Sequence, residues 1–230
     1  MTMKKILLVF FVGVAQSMVA QVPQDQKSIK EIFDEALKNG KAYPMLKELC
    51  TDIGARLSGS PAAAAAVEWS RHMMERNEFD SVWLQPVMVP HWVRGQKEIA
   101  RVINLKNRGV LELSVCALGN SIGTGPSGVS ARVIEVKNFD ELKQLGTKAV
   151  QGKIVFYNRP MDPTLIHTFE AYGGAVDQRG RGASEAAKLG AVAVIVRSMG
   201  INIEDYPHTG SLHYQDNVPK IPAIAVSTKH

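Results

Sequence analysis

His208 and His213 lie close enough in sequence to meet one metal ion, but the pair lacks the i, i+4 spacing and intervening glutamate of a helical zinc-protease site. Gly210 between them favours a loop, where histidines without carboxylate partners are more often solvated or structural than cleft-lining. Ser58 and Ser60 flank Gly59, and no motif sets a general base beside either hydroxyl. The same run offers Arg56 and a tight turn, whose guanidinium and backbone amides suit a carboxylate. A plain turn between two helices explains the run equally well. Gly123, Gly125 and Gly128 have the spacing of a dinucleotide loop, but a strand-like segment follows where a helix would have to hold the pyrophosphate. No Glu-Glu or Asp-Asp dipeptide occurs, and no histidine stands two residues before an aspartate. A two-metal hydrolytic centre needs several such groups converging, so no catalytic residue and no metal ligand is assigned.

The amino terminus bears on the compartment. Lys4 and Lys5 precede an apolar run from Ile6 to Val14, and Ala15, Ser17 and Ala20 follow, which is the order of a secretory signal peptide over 1–20. Cleavage after Ala20 is expected, with Ser17 as the other option. The run is about nine to fifteen residues, short of the roughly twenty that span a bilayer. A secreted or periplasmic protein without membrane attachment after cleavage is therefore expected. Removing Lys4 and Lys5 brings the formal charge from +5 to +3. The remaining basic residues are interspersed with acidic ones, which argues against a nucleic-acid partner. Cys50 and Cys116 lie in apolar surroundings and read as buried free thiols more readily than as a disulfide.

Two styles of sequence meet near residue 80. Before it, Ser28 and Glu31 form a capping-box pair ahead of an amphipathic helix carrying Ile29, Ile32, Phe33, Ala36 and Leu37, which stops at Gly40. A short helix is expected near Pro44. A third runs from Ser60 and Pro61 to about Asn77, with Ala65, Trp69, His72 and Met73 on its buried stripe. After residue 80 the period becomes two. Strands are expected over Ser81–Val89, bent at Pro86, and over Ala100–Leu105, Leu111–Leu118, Ala131–Val136, Lys153–Tyr157, Ala191–Arg197 and Ile224–Val226. Turns separate them, among them Asn107–Gly109. Helices at Asn138–Leu145 and Ala183–Leu189 interrupt the series. This predicts a β-rich second part, a sandwich or open barrel, set on the helical first part.

Several runs together carry a family resemblance. They include Arg56-Leu57-Ser58-Gly59-Ser60, Val89-Pro90-His91-Trp92-Val93-Arg94-Gly95 and Gly119-Asn120-Ser121-Ile122-Gly123-Thr124. Further along are Gly152-Lys153-Ile154-Val155-Phe156-Tyr157-Asn158, Arg197-Ser198, Pro207-His208-Thr209-Gly210 and Tyr214-Gln215-Asp216-Asn217-Val218-Pro219. In this order they resemble the N-terminal portion of the carboxypeptidase Q (plasma glutamate carboxypeptidase) family of zinc exopeptidases.

The resemblance implies an α/β (α+β) fold: residues 21–88 as the opening helices and first strand of a peptidase domain, and 89–227 as a β-rich protease-associated domain inserted into it. It implies two zinc ions and short peptide substrates for the intact enzyme, and leaves room there for a homodimer. The family's metal ligands and catalytic glutamate lie downstream of His230, so none carries over. A truncated gene product lacking its catalytic portion, with no zinc of its own and no hydrolysis, is the expectation. Arg56, His208 and Thr209 are expected to line the substrate cleft. A free-standing protease-associated binding module is the other reading.

Overall fold

The computed structural model describes residues 24–105 and 109–230. The expected signal peptide, 1–20, and most of the expected turn at 107–109 lie outside the described residues. The chain divides into one compact unit that runs through His91 and a second from Trp92 to His230.

The first unit is helical. Helix α1 covers residues 24–39, α2 is Ala42–Glu48, a wide π-type turn follows at Leu49–Ile53, and α3 is Pro61–Arg76. At α3 the local sequence rules apply directly: Ser60 is extended and its Oγ accepts from the Ala63 amide at 3.1 Å, with Pro61 in the first position. Trp69 Nε1 donates to Glu48 Oε1 at 2.8 Å and so ties α3 to α2. Trp69 and Met73 are half-buried, whereas Ala65 and His72, expected beside them, are exposed. The capping box at Ser28 does not form, because the helix is already under way at residue 24. The i, i+4 pairs Lys27–Glu31 and Lys30–Asp34 lie along it. Ile29, Ile32, Phe33 and Leu37 on α1 are all exposed. The strand expected over Ser81–Val89 is absent. Its alternation produces extended chain, but no partner strand supplies the ladder that defines a strand.

The second unit holds the core. Strands β1 (Ala100–Leu105) and β2 (Gly109–Leu113) form an antiparallel pair, with Ala100 opposite Leu113 and Val102 opposite Leu111. A separate five-stranded sheet follows, built from β3 (Val115–Ala117), β4 (Val133–Val136), β5 (Ile154–Tyr157), β6 (Ala193–Arg197) and β7 (Ala223–Val226). Its order is β3-β7-β6-β5-β4, with β4 to β7 parallel and β3 antiparallel on β7. The expected strand at Leu111–Leu118 is thus two strands in two different sheets.

Helix α4 (Phe139–Val150) connects β4 to β5, and α5 (Thr168–Ala187) connects β5 to β6. Both lie on one face of the sheet, since Tyr157 on β5 meets the Phe139 ring of α4 edge-on at 5.7 Å and donates its hydroxyl to Gly182 O of α5 at 3.0 Å. Val136, Val155, Tyr157, Val194, Val196, Ala223 and Ala225 are buried beneath these helices. Burying each larger side chain contributes about 1.5–3 kcal/mol. The α/β class is as expected; the sandwich or barrel is not. Strands of continuous apolar character belong to a parallel sheet covered by crossover helices, and of α5 the sequence indicates only the end, at Ala183–Leu189, because Gly173, Gly174, Gly180 and Gly182 interrupt what precedes it.

Candidate functional site

In open parallel sheets, loops at the carboxyl ends of the strands form binding crevices. Here the loops after β5 and β6, with the start of α5, enclose a cavity of about 420 Å³. Met161, Asp162, Leu165, Tyr172, Met199, Glu204 and His208 are among its lining residues. That volume is in the range of small-molecule sites, about 300–1,000 Å³.

His208 is held from three sides. Its backbone amide donates to Ser198 Oγ at 2.7 Å, Nδ1 lies 2.7 Å from Met199 O, and Nε2 lies 2.9 Å from Glu204 Oε2. Ser198 is buried and donates its own hydroxyl to Val226 O at 2.6 Å, so the end of β7 fixes the loop that carries the imidazole. Both ring nitrogens face oxygen acceptors. Glu204 lies four residues before His208, and its amide donates to Thr228 Oγ1 at 2.8 Å. Next to it, Asp205 accepts from Lys229 Nζ at 2.7 Å and Ser114 Oγ at 3.1 Å. Those bonds, led by the one from Lys229, hold the Asp205 carboxyl below its ordinary range. Asp162 is likewise lowered, by the Thr164 hydroxyl and then the Thr164 amide.

Two guanidinium groups support α5. Arg179 bonds the Tyr172 hydroxyl and lies over its ring, and a Cβ placed on Gly210 would come 2.6 Å from Arg179 Cζ. Arg159 pairs with Asp177, and Gln178 Nε2 donates to Arg159 O at 2.8 Å. At the far sheet edge Arg94 Nη1 donates to Glu98 Oε1 at 2.9 Å and to Ala117 O at 3.1 Å, while the Ala117 amide donates to the same glutamate oxygen.

The residues singled out from sequence are distributed unevenly. His208 lines the cavity. Thr209 is exposed and donates to Ala117 O at 2.6 Å, a bond that holds the loop against β3. Arg56 belongs to the first unit and donates to Gly54 O at 2.7 Å, which closes its own turn. His213 lines a different cavity of about 390 Å³ with Asn120, Tyr214 and Lys220, so it does not share a site with His208. Gly123, Gly125 and Gly128 form an exposed turn. Cys50 and Cys116 are free thiols, but neither is buried as expected: Cys50 is exposed and Cys116 half-buried. Sequence reasoning missed Met161, Asp162, Tyr172, Met199 and Glu204. Only Glu204 carried a local signal, its spacing from His208.

Among the described residues no group of three or more His, Cys, Asp or Glu side chains converges to hold a metal ion. Also among them, no helix is long and apolar enough to cross a membrane.

No family model matches the chain. It is 37% identical over 203 residues to carboxypeptidase Q of Bos taurus, a span of 88% of this chain and 40% of that protein. To carboxypeptidase Q of Homo sapiens it is 37% identical over 189 residues, 82% of this chain and 37% of the relative. Among solved structures, a peptidase M28 precursor from Shewanella amazonensis superposes with a TM-score of 0.81 at 30% identity, over 90% of this chain and 45% of that one. A zinc aminopeptidase from Bacillus subtilis shares the fold, with a TM-score of 0.51 at 20% identity over 80% of this chain and 38% of that one. The chain thus spans about 40% of the length of the curated relatives it matches.

Proposed function

We propose, from the premise that this chain is a carboxypeptidase Q homologue over most of its own length, that it forms the non-catalytic, N-terminal portion of a secreted zinc exopeptidase acting on small peptides. In this reading the segment over 89–227 is a protease-associated domain that covers the substrate cleft and restricts entry to short chains, and 21–88 supplies the opening elements of the peptidase domain. The observation that carries it is one alignment of 203 residues, which runs through both units. The cavity beside His208 supports a binding role for the second unit. The described residues do not fit a pair of zinc ions, because carboxylates and imidazoles meet here only in pairs such as Glu204–His208. Bond cleavage is accordingly not assigned to any residue of this chain.

A second reading, a protease-associated binding module that works without catalysis, draws support from the second unit's own core, whose buried cluster lies between Leu118 and Ala225. A chimera separates the two. Replacing the aligned segment of the bovine relative by this chain is expected to give a zinc-loaded protein that still hydrolyses dipeptides. A folded, zinc-loaded chimera without turnover would overturn the exopeptidase reading in favour of the module.

A further inference from the structure

The cavity after β5 and β6 has two walls. Residues 161–172 make one, and the loop from Met199 to His208 makes the other, through Met199, Gly200, Ile201, Asn202, Glu204 and His208. Apart from the buried Met199 at its start, apolar packing does little to fix this loop, since Ile201 is 60%, Ile203 83% and Tyr206 78% exposed. Its polar bonds run to one place. The Glu204 amide donates to Thr228 Oγ1 at 2.8 Å, the Thr228 hydroxyl donates to Asn202 O at 2.7 Å, and the Lys229 amide donates to Glu204 O at 3.1 Å. Lys229 Nζ adds its bond to Asp205, where the His230 ring also stands at 3.5 Å. Among the described residues, every hydrogen bond from residues 200–207 to the chain outside the loop ends on Thr228, Lys229 or Ser114. Each such bond is weak on its own in water, and a segment with few buried apolar contacts opens well below the cost of global unfolding.

We infer that residues 200–206 are a hinged wall of the cavity, latched closed by Thr228 and Lys229, so that displacing the segment after β7 opens the cavity. The hinges are the loop's two ends, which stay attached when the latch is released. Ser198 at one end is buried and donates to Val226 O, and the His208 amide at the other donates to Ser198 Oγ. Glu204 transmits the movement, because it gives its backbone to Thr228 and Lys229 and its carboxylate to His208. The latch lies outside the cavity, which neither Thr228 nor Lys229 lines. Opening uncovers Met161 and Met199, which are 9% and 6% exposed in the latched form. The inference requires neither the exopeptidase reading nor a ligand, because it is read from the motion of the loop itself.

The test is NMR of the full chain, labelled with ¹⁵N and at the methionine methyls, as wild type, Thr228→Val and Lys229→Ala. A soluble nitroxide reports which methyls reach solvent. Thr228→Val keeps the shape of the side chain and removes the hydroxyl. It is expected to raise the nitroxide-induced relaxation of the Met161 and Met199 methyls and to speed exchange of the His208 amide about tenfold, the effect of losing one or two hydrogen bonds. Lys229→Ala should act in the same direction and less strongly. Neither substitution touches His208, so a change in its ring-nitrogen shifts reports transmission through Glu204, which a merely local role would not produce. If Thr228→Val does not fold, Lys229→Ala, which alters an exposed side chain, decides alone. Wild-type relaxation of Met161 and Met199, wild-type His208 signals, or exchange accelerated equally in β5 and β6 would each overturn the inference.

Discussion

His208 shows how a loop residue becomes fixed: three bonds, to Ser198, Met199 and Glu204, orient a ring that local sequence leaves undirected. Replacing it by phenylalanine keeps the ring and removes both side-chain bonds. The expected cost is about 1 kcal/mol at this partly exposed position, read from urea denaturation, with faster hydrogen exchange confined to the loop around residues 199–208. Glu98 gives a pH-dependent case. Burial opposes its charge, but the Ala117 amide, its own amide and the Arg94 guanidinium prevail and hold the carboxyl below its ordinary value. A carboxyl lowered by folding stabilises the native state above its unfolded pKa and loses that contribution as pH falls through the folded one. Wild-type stability should therefore fall as the pH drops below the ordinary glutamate range, and Glu98→Gln should be less stable at neutral pH with a shallower acid slope. Sequence reached His208 through its neighbours in a family-like run. It could not reach Met161 or Met199, whose role comes only from two loops meeting across the sheet edge.

At the scale of elements, α5 carries the most information. Its glycines read as helix breakers, yet Gly182 is required by packing: a Cβ there would stand 2.7 Å from the buried Tyr157 ring. Gly182→Ala gains about 0.5–1 kcal/mol of helix propensity but should lose more to the clash, for a net destabilisation of about 1–2 kcal/mol. Gly173, exposed on the same helix with nothing near its Cβ position, should show the opposite sign, and Gly173→Ala should stabilise by about 0.5–1 kcal/mol. Thermal melts of the two variants side by side check the contrast. Helix α3 was legible because Ser60 and Pro61 mark its start chemically. The missing strand at Ser81–Val89 was not, because alternation specifies an extended chain and only a partner makes it a strand. The sandwich expectation failed for a related reason. Period-two patterning and buried apolar runs do not reveal whether neighbouring strands run parallel, and of the longer crossover helix only the end, at Ala183–Leu189, was legible, its glycines hiding the rest.

For the whole molecule, the likeness to carboxypeptidase Q was readable from short runs spread over both units, and the comparisons bear it out. The cavity after β5 and β6 was not readable in this way, since its residues come from separate loops. If these residues form the non-catalytic portion proposed above, the purified chain holds no zinc pair of its own, and zinc stoichiometry decides the point. Native mass spectrometry of the purified chain after equilibration with excess zinc and desalting is expected to show the metal-free mass. Retention of two zinc ions per chain, removed by chelator, would contradict the account.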